Sequence, residues 1–108
     1  MILKNILFHL GIGNHKFDSE IWKTESNKRR LFAKNIISSE IAIGLNTAEA
    51  VALFGEDKVE FSNGIWSYKI DSFNKRVTTD GNTKSALILQ FDDLGIIVDA
   101  KIKWYKRK

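Results

Sequence analysis

The chain of 108 residues contains no cysteine and no proline. The absence of cysteine excludes disulfide bonds, thiolate metal sites, Fe–S clusters, cysteine nucleophiles and the acylated cysteine of a lipoprotein. The absence of proline leaves the loops without the rigid φ angle that this residue imposes. A transmembrane helix needs about twenty consecutive apolar residues, and the sequence offers no such window.

Histidine is scarce, and the spacing of the two histidines does not indicate a metal site. His9 and His15 are six positions apart, whereas a helical metal pair is spaced i, i+4. Gly11-Ile12-Gly13 lacks the third glycine and the flanking strand and helix of a phosphate-binding loop. Asp92 and Asp93 fit a tight turn better than a catalytic pair, because Asp side chains bond to nearby backbone amides in turns. The sequence therefore predicts no catalytic residue, metal or cofactor, and a protein that is not an enzyme.

Positive charge is concentrated at one end of the chain. Residues 1–100 carry twelve basic and thirteen acidic residues, and the last eight residues add five basic ones to give a net charge of +4. The rest of the chain is nearly neutral, so we do not expect nucleic acid as a partner. With 44% hydrophobic and 28% charged residues, the composition indicates one folded domain over residues 1–108. Residues 1–16 are interpreted as an N-terminal extension and 105–108 as a basic tail.

The apolar stretch near the N-terminus does not have the pattern of a signal peptide. It follows a single basic residue, Lys4, spans about seven residues and lacks a small-x-small cleavage site. We therefore expect this stretch to pack on the core and the protein to be cytoplasmic. The alternative is an exported protein in which residues 1–13 form an atypical or truncated signal.

Two segments have helical patterns. Apolar residues at helical spacing from Leu31 to Ile37 predict one helix over about 26–39, with a start as early as 19 as the alternative. Asn46 or Thr47 can cap a second helix of about eight residues, which ends at Gly55. With Asn46 as the cap, Glu49 could complete a capping box.

The pattern then alternates with a period of two, which predicts strands. Val59 and Phe61 precede a turn at Asn63-Gly64, and Trp66, Tyr68 and Ile70 follow it, as in a hairpin. A long connection is predicted over 72–83. Two further strands flank a turn at 92–95; the assigned apolar phase of the last strand contains Ile96, Val98, Ala100, Ile102 and Trp104. The predicted fold class is α+β, with two helices packed on one face of a four-stranded antiparallel meander sheet.

The two phases of the strands predict a core face and a candidate binding face. Trp66, Tyr68 and Trp104 are predicted to pack beneath the helices. The opposite phase mixes charged, polar and aliphatic residues, either as a solvated surface or as a face covered by a partner or a second copy. The candidate partner-binding residues on that phase are Lys69, Ile88, Gln90, Ile97, Asp99, Lys101 and Lys103, and the same phase also contains Ser67 and Asp71.

The order of these motifs resembles the SmpA/OmlA family of small bacterial domains. The matching motifs are Gly44 to Val51, Leu53-Phe54-Gly55, Trp66-Ser67-Tyr68 and Leu89 to Ile96. The resemblance covers about residues 17–104 and implies a fold similar to that of the beta-lactamase-inhibitor-protein group. It also implies action by binding, since the characterised members are envelope lipoproteins that assist outer-membrane assembly. This chain lacks their lipidated cysteine.

The leading functional hypothesis is a non-enzymatic protein-binding or scaffold domain that acts through the open face of its sheet, with a protein partner or a second copy. The first alternative is an inhibitor or immunity-like protein that blocks a partner enzyme or toxin, an idea based on fold analogy. The second alternative is a small-ligand or catalytic pocket between helix and sheet.

Overall fold

The computed structural model describes residues 15–70 and 83–106. The described elements are α1 (Ser19–Thr24), a 3₁₀ helix η1 (Ser26–Leu31), α2 (Ala33–Ser38), α3 (Thr47–Phe54), β1 (Val59–Phe61), β2 (Ile65–Ile70), β3 (Thr83–Phe91) and β4 (Ile97–Lys106). The strands form an antiparallel sheet in the order β1-β2-β3-β4, which confirms the α+β class and the meander. The predictions for the N-terminal stretch, for Asp71 and for most of the long connection lie outside the described residues. Tyr105 and Lys106 belong to β4, although the sequence analysis assigned them to a tail.

The predicted helix over 26–39 is divided at Phe32 into η1 and α2, and the alternative with a start at 19 is interrupted at Glu25. Glu25, between α1 and η1, has φ −128° and ψ 77°, which no helical residue adopts. The Arg29 Nε–H donates to the Trp22 carbonyl at 2.8 Å. In a continuous helix that carbonyl would accept the amide four residues later, so the Arg29 side chain replaces the lost helical bond. At the Glu25 break, the Arg29 side chain therefore returns to cap α1.

The second predicted helix is confirmed in position and in capping. The Asn46 Oδ1 accepts the Glu49 N–H at 2.8 Å, and the Glu49 Oε1 accepts the Asn46 N–H at 2.9 Å. The helix ends at Phe54, and the next residue is Gly55, whose φ of +101° favours glycine. Local sequence signals are sufficient here because every capping partner lies within a few residues of the end that it caps.

The core lies between the helices and one face of the sheet. Its aromatic centre is formed by Trp22, Phe54 and Tyr68, with ring centroids 5.6–6.4 Å apart. Each polar atom of this centre has a carbonyl partner: the Trp22 Nε1–H donates to Phe54 O and the Tyr68 O–H donates to Gly55 O. Trp66 and Tyr68 are buried, as predicted.

Trp104 does not belong to this core. It pairs with Ser85 and lies on the helix side of the sheet, as its strand phase predicted, but it is 56% exposed. Ala33 and Lys34, the first residues of α2, lie at the same groove as Trp104 without covering the indole. The prediction of a buried Trp104 was therefore wrong, because no helix among the described residues covers the indole at this end of β4.

A β-bulge reverses the predicted phase at the start of β4. Gln90 pairs with Asp99, but Phe91 pairs with Ile97, so Val98 is an extra residue in the ladder. An extra residue turns every side chain before it to the opposite face. Ile97 is consequently 1% exposed and part of the core, whereas Val98 is 54% exposed. Ile97 is therefore not a partner-binding residue, and the sequence-based assignment of Ile97 and Val98 was wrong.

Tyr68 gives the fold an expected sensitivity to alkali. Burial raises the pKa of the Tyr68 phenol, and the nearby Asp57 carboxylate raises it further. The folded chain holds this proton more tightly than the unfolded chain, so this contribution to stability is fully present below the ordinary phenol pKa of about 10 and decreases above it. We expect Tyr68→Phe to lower Tm at neutral pH, through loss of the bond to Gly55, and to flatten the fall of Tm above about pH 10. An equally steep fall in the variant would contradict this assignment.

Candidate protein-binding face

The hairpin between β1 and β2 determines which side chains reach the face of the sheet that points away from the helices. A two-residue turn at Asn63-Gly64 would pair Phe61 with Trp66 and place both on the core side. Instead Phe61 pairs with Ile65, and three residues connect the strands. Both Asn63 (φ +65°) and Gly64 (φ +72°) have positive φ, which these two residue types tolerate. The longer connection turns Phe61 away from the core.

Gly64 also fixes this connection against the end of β3. A Cβ atom on Gly64 would lie 2.9 Å from the Phe91 carbonyl oxygen, closer than real Cβ contacts allow. The Gly64 carbonyl accepts the Phe91 N–H at 2.8 Å, and the Gln90 side-chain amide donates to the Asn63 carbonyl at 2.8 Å. The position therefore requires glycine both for its backbone angle and for the close approach.

The strand register defines an outer face, opposite the helices, in three rows. The first row contains Phe61, Ile65, Gln90 and Asp99; the second contains Val59, Ser67, Ile88 and Lys101; the third contains Lys69, Ala86 and Lys103. Six of the seven predicted partner-binding residues share this face: Lys69, Ile88, Gln90, Asp99, Lys101 and Lys103. Gln90 already uses its amide nitrogen to hold the turn, so its contribution to the face is partly structural.

Sequence reasoning missed the most apolar part of the outer face. Val59 and Phe61 are 55% and 57% exposed on β1. Phe61 pairs with the half-buried Ile65 in the first row, and Val59 belongs to the second row, which also contains the half-buried Ile88. These four side chains form what we call the apolar stripe, across β1, β2 and β3. The alternation of Val59 and Phe61 was visible in the sequence, but only the length of the turn decides which face they occupy.

Charge on the outer face is unevenly distributed. Lys69 and Lys103 flank Ala86 in the third row, and Lys101 lies beside Ile88 in the second row. Asp99, in the first row, is the acidic residue among the outer-face positions that the register defines. The apolar stripe is therefore bordered by a surface with more positive than negative charge.

A second polar cluster, centred on Arg29, lies on the helix side of the sheet. The Arg29 guanidinium is 2% exposed, lies 4.7 Å from the centre of the Trp22 ring, and donates to the Lys69 carbonyl at 2.9 Å. Both Asp57 carboxylate oxygens accept from its Nη2, at 3.0 and 3.2 Å. The Lys69 carbonyl belongs to the part of β2 that extends past its pairing with β1. These donors bind two backbone carbonyls and one carboxylate, so the cluster links α1, β2 and the segment before β1.

In residues 15–70 and 83–106, no group of three His, Asp or Glu side chains could hold a metal ion. No described helix has the length and apolar content needed to cross a membrane. No protein-family model, curated protein or solved structure matches this chain. The resemblance to the SmpA/OmlA family therefore stays a prediction.

Proposed function

We propose that this chain is a non-enzymatic protein-binding module whose docking surface is the outer face of its sheet. The proposal is based on the apolar stripe. In this stripe Phe61 and Val59 are more than half exposed, and they lie beside the half-buried Ile65 and Ile88. Exposed apolar groups that adjoin one another and are bordered by polar residues are typical of protein interaction sites.

The charge of the outer face favours a different protein over a second copy of this chain. Two copies packed face to face would bring Lys69, Lys101 and Lys103 of one near the same lysines of the other, and juxtaposed like charges oppose association. A partner with carboxylates around an apolar centre would complement both the stripe and its border. We therefore expect the isolated chain to be monomeric.

A site-specific photocrosslinker tests this proposal. With p-benzoylphenylalanine in place of Phe61, irradiation of cells of the source organism should yield a discrete crosslinked protein. The matched control places the same probe at Leu94, which is 85% exposed in the β3–β4 turn and does not belong to the apolar stripe. Ile88→Lys in the Phe61 probe strain should remove the crosslink, because it places a charge in the apolar stripe while leaving the core intact.

Two results would contradict the proposed function. One is a Phe61 probe that gives no more crosslinking than the Leu94 probe. The other is an Ile88→Lys variant that keeps its circular dichroism spectrum and Tm and still crosslinks as before. Sedimentation velocity could instead show a dimer that Phe61→Lys dissociates. That result would mean that the outer face binds a second copy of this chain, and it would overturn the proposal of a different protein as partner.

A further inference from the structure

The far edge of β4, on the side away from β3, has strand-pairing capacity that the described residues do not use. At the start of the strand this edge is covered, since the Gly44 N–H donates to Ile97 O at 2.9 Å and the Ile97 N–H donates to Leu45 O at 2.8 Å. From Val98 to Ile102, β3 supplies the only backbone partners of β4 among the described residues. An uncovered edge strand is a template for one more strand.

A groove runs along this edge on the helix side of the sheet. It has a volume of about 520 Å³ and lies between α2 and β4. Ala33 and Ile37 line it from the helix, and Ala100 and Ile102 line it from the strand. Alternate side chains of an added strand would point into this groove, because successive side chains of a strand point to opposite faces.

Positive charge lies on both sides of the same edge. Lys34 projects from α2 at the groove, and Lys101 lies on the outer face of β4; both are exposed. Asp99 is the acid on this stretch of β4, two residues before Lys101. The edge therefore combines backbone hydrogen-bonding groups, an apolar groove and a surplus of cations.

From these three features we infer that the β4 edge binds an extended acidic segment of a partner protein as a fifth strand. Aliphatic side chains of the segment occupy the groove beside Ile37 and Ile102, and carboxylates on its other face lie near Lys101. Main-chain bonds supply affinity and the alternating side chains supply selectivity, as in other cases of strand addition. This inference goes beyond the proposed function, because the edge and groove are a different surface from the apolar stripe.

The test uses a blocked heptapeptide in which Glu and Val alternate, added to the full ¹⁵N-labelled chain. Saturable shifts should appear for amides in 98–102 and in α2. Two further peptides carry N-methyl groups on all Glu or on all Val amides. Because alternate strand amides point to opposite edges, one methylated peptide should bind at least about tenfold more weakly while the other binds like the parent. Equal binding by both methylated peptides would overturn strand addition.

Charge reversal tests the acidic character of the partner. Lys34→Glu combined with Lys101→Glu should weaken the Glu–Val peptide roughly tenfold and strengthen a Lys–Val peptide. Lys16→Glu combined with Arg30→Glu is the matched control, since it changes the net charge equally at exposed sites that do not line the groove. Unchanged affinity in the first double variant would overturn the inference.

Other occupants of the edge would also be detected. Protection from hydrogen exchange of the β4 amides that point away from β3, in the peptide-free monomer, would show an edge that the chain itself covers and would overturn the inference. Hydrogen-exchange protection that increases with protein concentration would show that a second copy of the chain covers the edge, and it would also overturn the inference. Phe61→Lys should leave binding of the Glu–Val peptide unchanged. The inference about the β4 edge and the proposed function of the outer face can therefore be disproved independently.

Discussion

Replacement of Arg29 by alanine is expected to lower the free energy of unfolding by about 3–5 kcal/mol. The substitution removes the donors to the Trp22 and Lys69 carbonyls and empties the volume of a side chain that is 2% exposed. It also removes the cation that lies over the Trp22 ring. The measurement is urea unfolding followed by tryptophan fluorescence, with circular dichroism as a second probe.

Three further variants separate the parts of this effect. Arg29→Lys should recover only part of the loss, because one ammonium group cannot reproduce the planar fork that reaches three acceptors. Asp57→Asn should cost only about 1 kcal/mol, since Asp57 is 58% exposed and its charge is screened by water. Arg30→Ala, at the exposed neighbouring position, should change stability by less than about 0.5 kcal/mol. An Arg29→Ala variant as stable as Arg30→Ala would show that the buried guanidinium does not hold the helices to β2.

Ile97→Lys is expected to destabilise the fold by about 4 kcal/mol or more, whereas Val98→Lys should change stability by less than about 0.5 kcal/mol. The reason is the β-bulge, which buries the first side chain in the core and leaves the second 54% exposed. A lysine at position 97 would place an unpaired ammonium among the core side chains. Thermal and urea unfolding of the two variants give the comparison.

These adjacent substitutions provide their own control, because they introduce the same side chain into the same strand. Strict alternation from Ile96 to Trp104 would produce the reverse order, with a tolerated lysine at 97 and a damaging one at 98. A destabilised Val98→Lys beside a stable Ile97→Lys would therefore disprove the bulge. It would also return Ile97 to the outer face.

Features that depend on neighbouring residues were predictable from the sequence. The capping box of α3 involves partners three residues apart, and the positive φ angles of Asn63 and Gly64 follow from residue type. The turn at 92–95 is also local, since the Asp92 carboxylate accepts the Leu94 and Ile96 amides, as expected for Asp in a turn. The α+β class and the order of the strands followed from the change of period along the chain.

Features that depend on strand register were only partly predictable. Six of the seven candidate residues do share the outer face, because alternation within β2, β3 and the later part of β4 is uninterrupted. Ile97 lies on the face opposite to the one that strict alternation predicted, and alternation alone did not determine the face of Phe61. Both results have the same cause. A single extra residue, in the bulge or in the β1–β2 connection, reverses the phase of a strand.

The sequence by itself thus determined the capped helix, the strand periods and the near-neutral charge of residues 1–100. Only the tertiary structure decided that a charged residue in a polar run, Arg29, is buried, since its acceptors come from α1, β2 and the segment before β1. It also decided that Phe61 and Val59 form part of an exposed stripe. Composition and periodicity describe one segment at a time, whereas burial and register depend on contacts between segments that are distant in the chain.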